Sequence, residues 1–275
     1  MGAQAANRNR REWRQSLQDT DRIETPSRPA ADILSGRPSG CALFLDVDGT
    51  LLDIAPTPNE VVVPPELPEL LVRLSKGLDG ALAILTGRQL AEIDELLAPA
   101  MLVGSGVHGT ELRTTPGGPI TRVATALPKT LVEQLATLER MPGIIAEPKG
   151  PGFAIHYRRA PDLKAVVEAE IRKHIAQYPE DLVLCPGREL FEVIPQGHSK
   201  GTALETLSAL PAFSGRMPVM LGDDVGDVPA LAAAEKLGGV GLKVAGGHFG
   251  RTNVDLHGPE GVTAWLRKLL ERLET

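Results

Sequence analysis

The sequence predicts an α/β fold: a doubly wound (Rossmann-like) parallel-sheet core with a smaller α+β cap inserted into it. Three observations carry this. Short apolar runs alternate with amphipathic helical stretches over residues 41–103, and the alternation resumes over 199–269, as in a parallel sheet covered by helices on both faces. Polar residues cluster where the apolar runs end, and ligands of open α/β sheets bind beyond the carboxyl ends of the strands. The stretch between, 114–198, differs in texture, with a Gly/Pro-rich opening (TTPGGP) and a strand that alternates apolar and polar side chains.

Residues 1–38 are rich in Arg, Gln, Asn, Ser and Pro and poor in aliphatics, which predicts a mostly flexible extension. A short helix over 10–18 is expected within it, with Trp13 and Leu17 as a docking pair four residues apart. Residues 41–45 form a buried strand that ends in Asp46-Val47-Asp48-Gly49-Thr50. Leu67, Leu70, Leu71 and Leu74 recur at i, i+3, i+4 and i+7, so 65–76 is an amphipathic helix. A second strand over 81–85 ends at Thr86-Gly87-Arg88, a helix over 89–97 is stopped by Pro99, and 101–103 is a third strand. In the inserted block, helices are expected near 129–140 and 162–177. Over 153–158, Phe153, Ile155 and Tyr157 alternate with Ala154, His156 and Arg158, as on a half-exposed sheet. Ser199 precedes a helix with Ala203, Leu204, Leu207 and Leu210 on one face, 218–221 is a strand ending in Gly222-Asp223-Asp224, and 228–236 is helical. Val262, Trp265, Leu266 and Leu269 mark the last helix. The expected organisation is therefore an extension over 1–38, a catalytic core over 39–113 and 199–275, and a cap over 114–198 that opens and closes about crossings near 114 and 198.

Composition bounds the function. With 42% hydrophobic and 23% charged residues in 275, the chain buries a real core. A net charge of -6 gives no general attraction to nucleic acid or anionic lipid. No apolar run approaches the roughly 18 residues of a membrane span, and the N-terminus lacks the apolar segment of a signal peptide. Cys41 and Cys185 both sit in apolar runs and read as buried thiols. A cytoplasmic protein is expected.

The chemistry is concentrated at the strand ends. If those strands are parallel, Asp46, Asp48, Asp223, Asp224 and Asp227 converge on one crevice with Thr86 and Lys200. Like charges so close need a counter-charge. A hard divalent cation with oxygen ligands, Mg²⁺ being the natural candidate, supplies it together with one lysine. Such a site suits phosphoryl transfer through an aspartyl-phosphate, with metal, lysine and hydroxyl holding the equatorial oxygens. Other readings fit less well. An EF-hand loop is excluded by Thr50 and Leu51. Gly104-Ser105-Gly106-Val107-His108-Gly109 matches a dinucleotide-binding pattern literally, but strand rather than helix follows it. No Cys/His spacing supports zinc, and His174, His198, His248 and His257 read as structural or solvent-facing.

The Asp46–Thr50 motif, the strand ending in Thr86, Lys200 and Gly222-Asp223-Asp224-Val225-Gly226-Asp227 together resemble, in order, the four motifs of the haloacid dehalogenase-like phosphatases. Finer features lie between them: Leu85-Thr86-Gly87-Arg88, His108-Gly109-Thr110-Glu111, Glu147-Pro148-Lys149 with His156-Tyr157-Arg158, and Glu192-Val193-Ile194-Pro195 leading to Lys200-Gly201. Their series resembles the trehalose-6-phosphate phosphatase branch, which carries an α/β cap. The resemblance implies Asp46 as nucleophile, Asp48 as general acid/base, and Thr86 and Lys200 on the phosphoryl group. It implies Mg²⁺ on the Asp46 carboxylate, the Asp48 carbonyl and Asp223, with Asp224 and Asp227 supporting. Arg88, His108, Glu111, Lys149, His156, Arg158 and Glu192 become candidate contacts for the sugar phosphate. The chain departs from the family pattern at Thr86, usually Ser, and at Gly226 and Val228, usually Thr and Glu. The same chemistry on sucrose 6-phosphate or a mannosyl phosphoglycerate is the nearest rival; a phosphomutase and a non-catalytic sugar-phosphate sensor are further ones. The implied partner is the small sugar-phosphate substrate, with neither nucleic acid nor membrane, and residues 1–38 offer a docking segment for trehalose-6-phosphate synthase.

Overall fold

The computed structural model describes residues 28–55 and 60–275, and the helix expected over 10–18 lies outside them. The chain enters through helix α1 (Arg28–Ser35) and strand β1 (Cys41–Leu45), followed by α2 (Leu67–Gly77), β2 (Leu82–Leu85), α3 (Leu90–Leu96), β3 (Val103–Gly106), β4 (Glu111–Arg113) and β5 (Thr121–Arg122). Next come α4 (Lys129–Ala136), β6 (Ile145–Lys149), β7 (Gly152–His156), α5 (Lys164–Ile175), β8 (Leu182–Gly187) and β9 (Leu190–Pro195). The last stretch holds α6 (Lys200–Ser208), β10 (Met217–Gly222), α7 (Val228–Lys236), β11 (Val240–Lys243) and α8 (Gly258–Leu273).

A seven-stranded sheet has the order β11-β10-β1-β2-β3-β4-β5. Its first five strands are parallel, and the apolar runs of β1, β2 and β10 at its centre are buried on both faces. β4 and β5 run antiparallel at one edge, where a wholly parallel sheet was expected. The short turn after β3 leaves no room for the crossover that a parallel neighbour needs, so the chain folds back as a hairpin. β5 belongs to this sheet, which moves the first crossing beyond residue 122, from the expected 114. The third strand also starts later than its apolar residues suggest. β3 is Val-Gly-Ser-Gly, and a Cβ on Gly104 would stand 2.8 Å from the Ile84 carbonyl, so close strand contact rather than hydrophobicity defines it.

The second sheet is antiparallel, β6-β7-β9-β8. Phe153 and Ile155 of β7 and Phe191 and Val193 of β9 meet Leu131 and Leu135 of α4 and Val167 and Ile171 of α5 in a separate apolar core. His156 and Arg158 fall on the opposite side, half-buried, and line a cleft between the sheets.

Part of the expected extension is ordered. In α1, Ala30 and Ile33 are buried against the main core, and the Trp265 indole N–H of α8 donates to the Ala30 carbonyl at 2.9 Å. The stretch RPAADILS places Ala30, Ile33 and Leu34 at i, i+3 and i+4, a weak apolar stripe masked by its Arg, Pro and Ser. Cys41 is buried as expected, whereas Cys185 is half-buried, and both thiols are free. Among the described residues no helix is long and apolar enough to cross a membrane. A truncation starting at Gly40 removes α1, uncovers Trp265 and exchanges its bond to the Ala30 carbonyl for one to water. Urea unfolding should show a loss of about 2–4 kcal/mol relative to the full chain; an unchanged midpoint would contradict this packing.

Candidate active site

Parallel β1, β2 and β10 bring Asp46, Thr86 and Asp223 to one edge of the sheet. The Asp46 N–H extends the ladder by donating to the Leu221 carbonyl at 3.0 Å. The chain then turns sharply: the N–H groups of Leu51 and Leu52 donate to the Val47 carbonyl, and that of Gly49 to Leu52. Gly49 has φ +95°, and a Cβ there would overlap the Asp223 carboxylate, so both conformation and space require glycine. Lys200 is presented by the first turn of α6. Ser199 caps that turn by accepting from the Thr202 N–H at 3.1 Å.

These placements build a buried charge cluster. Lys200 Nζ donates to Asp46 Oδ1 and to Asp227 Oδ1, both at 2.6 Å. The second Asp227 oxygen accepts from the backbone N–H groups of Asp223 and Asp224 at 3.0 Å each. Carboxylate oxygens of Asp46, Asp223 and Asp227 lie within 4.8 Å of one another, all buried. Burial, then repulsion from Asp227, lifts the Asp46 carboxyl well above the usual range, with Lys200 offsetting only part. Asp223 is pushed to about 7 by burial and again by Asp227. Burial works against the charged form of Lys200, but Asp227 and Asp46 outweigh it and raise its pKa. Three carboxylates share one ammonium, and the surplus negative charge on oxygen donors fits a hard divalent cation.

Two of the five expected aspartates turn elsewhere. Asp48 accepts a two-pronged bond from Arg88, Nε to Oδ2 and Nη2 to Oδ1, both 2.7 Å. That guanidinium therefore faces a carboxylate within the protein. Asp224 accepts the Arg188 N–H from the β8–β9 turn at 2.9 Å. Thr86 is buried, and its hydroxyl accepts the Arg88 N–H at 3.0 Å. Glu111 lies off the cleft: it accepts the Leu90 N–H at the start of α3 and faces Arg122 at 3.6 Å. Its proximity to His108 in the sequence is undone because the hairpin turns it toward α3.

Above the cluster opens a cleft of about 1080 Å³, measured out to solvent and roofed by the second sheet. Arg88, His108, Lys149, His156, Arg158 and Glu192 all line it. His108 Nε2 donates to Glu192 Oε2. Lys149 Nζ lies 3.7 Å from both Glu192 Oε1 and Glu147 Oε2, and His156 donates to Glu147 at 2.9 Å. Arg158 pairs with Glu189 at 3.0 Å and donates to the Ala55 carbonyl. Burial alone would raise the Glu192 carboxyl, but His108 and Lys149 outweigh it and hold it at about 2. Glu147 is likewise lowered, burial being overcome by the His156 hydrogen bond and Lys149.

Sequence reading missed Glu147 as a site residue although it stands in a quoted motif, and it missed the loop after β11. Gly246 offers no room for a Cβ against Asp223, and the Gly247 N–H donates to Asp223 Oδ2 at 3.4 Å. The Gly-Gly pair straight after a strand was the available signal.

A family model described as trehalose-phosphatase matches residues 44–253. The chain is 38% identical over 205 residues to a probable trehalose-phosphate phosphatase of Sinorhizobium fredii, covering 74% of this chain and 77% of that one. It is 36% identical over 235 residues to the trehalose-6-phosphate phosphatase of Escherichia coli, covering 85% and 88%. Among solved structures, the C-terminal domain of the C. albicans trehalose-6-phosphate phosphatase superposes with a TM-score of 0.73 over 91% of this chain and 99% of that chain, at 22% identity, a likeness of fold.

The depressed Glu192 pKa has a consequence for stability. A carboxyl held at about 2 in the fold, against 4.5 ordinarily, stabilises the protein fully above pH 4.5 and loses that contribution as pH falls toward 2. Denaturant titrations across this window should show a loss of up to about 3 kcal/mol from this group. Glu192→Gln should flatten that part of the curve, and an unaltered slope would refute the pairing.

Proposed function

The chain belongs to the trehalose-phosphatase family of phosphoric monoester hydrolases, and on that premise we propose that it hydrolyses trehalose 6-phosphate with Mg²⁺ through an aspartyl-phosphate. The observation that carries the reading is the buried Asp46–Lys200–Asp227 cluster with Asp223, set at the ends of parallel strands beneath a cleft rich in charged side chains. An Asp46 oxygen attacks phosphorus while the bond from phosphorus to the sugar oxygen breaks, and Asp48 gives that oxygen a proton. Asp48 then takes a proton from water, whose oxygen attacks phosphorus, and the bond to Asp46 breaks to release phosphate. Arg88 grips both oxygens of the ionised Asp48 carboxylate, and this fork opens for Asp48 to take up the proton it gives. Lys200 lies against Asp46 and meets the phosphoryl oxygens, and the Thr86 hydroxyl keeps its own proton to donate to them.

Mg²⁺ would be held by the Asp46 and Asp223 carboxylates and the Asp48 carbonyl, with Asp227 supporting, while Asp224 is turned toward the Arg188 N–H. When bound, it neutralises the carboxylates and the charge on the phosphoryl oxygens. Lys149, Glu192, Glu147, His156 and Arg158 line the roof and suit a polyhydroxylated leaving group. We assign specificity to this cap and the chemistry to the core. Free thiols such as Cys41 and Cys185 persist in the cytoplasm, which supports placing the enzyme there beside the synthase that makes its substrate.

Phosphate release from a panel of sugar phosphates, with and without Mg²⁺, tests the reading. Fast, Mg²⁺-dependent release from trehalose 6-phosphate is expected, with Asp46→Asn slower by on the order of 10³-fold or more. Release mainly from sucrose 6-phosphate or a mannosyl phosphoglycerate would refute the substrate, and release from none would refute the enzyme. Independently of turnover, Mg²⁺ at 100 times its Kd should stabilise the protein by about 2.7 kcal/mol, read as a rise in Tm. Asp223→Asn should abolish the rise.

A further inference from the structure

His108 is the cleft residue to which the proposed chemistry gives no step. It sits in the turn between β3 and β4, where it and Val107 both take left-handed backbone, with φ +50° and +44°. For a β-branched residue this is strained, and such strain persists only where the surroundings impose it. Here the turn is pinned by the Val107 N–H on the Arg88 carbonyl, 3.0 Å, and the His108 N–H on the Thr86 carbonyl, 3.2 Å. The imidazole passes between two glycines. A Cβ on Gly87 would stand 2.7 Å from His108 Nε2, and one on Gly226 would stand 3.4 Å from Cε1. Beyond them the ring reaches Glu192 of β9, and the two side chains are only 12% and 7% exposed.

Other contacts across the cleft end on main chain. Lys149 donates to the Gly87 carbonyl at 3.4 Å, Arg158 to that of Ala55, and the Arg188 N–H reaches Asp224. The His108–Glu192 bond instead joins two side chains and occupies Glu192 Oε2. Glu192 Oε1 is left 3.7 Å from Lys149, on the cleft lining. We propose that His108 is a positioning residue that docks the cap by binding one oxygen of Glu192, and so sets the other oxygen for a substrate hydroxyl. The substrate part of this rests on the trehalose 6-phosphate reading; the docking part does not. His108, expected from the sequence to touch substrate, then acts through Glu192.

The test is a double-mutant cycle on the full chain, with trehalose 6-phosphate and Mg²⁺, using His108→Ala, Glu192→Gln and the pair, with His108→Gln as the variant that keeps an N–H donor. His108→Ala should raise KM roughly 10–100-fold, the range of a lost charge-assisted hydrogen bond, with kcat changed by less than about threefold. His108→Gln should recover most of that loss, and the pair should be no worse than the worse single variant. A KM for His108→Ala within about twofold of wild type, or losses that multiply in the pair, would overturn the proposal. If His108→Ala does not fold, His108→Leu, which also lacks the donor, takes its place in the cycle on the same criterion. Small-angle scattering without substrate separates the two claims. His108→Ala should have a larger radius of gyration than wild type, and an equal radius overturns docking. Wild type that turns over no trehalose 6-phosphate refutes the substrate reading, and scattering then decides docking alone.

Discussion

Three carboxylates clustered inside the protein, two of them paired with one ammonium, are the constraint around which the rest is arranged. Asp46, Asp223 and Asp227 reach it from β1 and from the segment after β10, and Lys200 reaches it from α6. Their mutual distances hold only if β1 and β10 run parallel in register, which the pairing of Leu45 with Leu221 provides. Two of the three carboxylates are locked by main chain as well. Asp227 caps the turn after β10, and Asp223 is held between the Gly49 turn and the Gly246–Gly247 loop. The apolar core beneath supplies the rigidity that keeps like charges together against their repulsion.

The roof solves a similar problem differently. Its acids are each met by donors: Glu192 by Lys149 and by His108 from the core below, and Glu147 by Lys149 and His156. Glu192 and Glu147 are held ionised by these neighbours, one of which, His108, the core supplies. The floor carries surplus negative charge on oxygen donors, which suits a cation; the roof presents paired donors and acceptors. A phosphate ester with a hydroxyl-rich leaving group matches that division, the phosphoryl group below and the sugar above.

Much of this was legible where one residue type had to stand at one place. The acidic strand ends, Lys200 at a helix start and Ser199 as its cap follow from local pattern. What stayed hidden depended on distant partners. Nothing near Asp48 in the chain points to Arg88, forty residues on, and Glu111 reads like a neighbour of His108 until the hairpin turns it toward Leu90. β3 has almost no apolar signal because its glycines answer to the strand beside it, and α1 hides a three-residue stripe among polar residues. The edge strand β5, two residues long, has too little sequence to announce its sheet.

Lys200 stands at the first helical position of α6, the positive end of a helix dipole. A cation is disfavoured there, by the same field that favours an anion. The lysine is therefore kept in an electrostatically uphill place by Asp46 and Asp227, and its ammonium and the unsatisfied amides of that turn add their fields in one direction. Whatever draws the carboxylates away leaves both facing the same way, so the floor of the cleft gains affinity for an arriving dianion without moving a backbone atom.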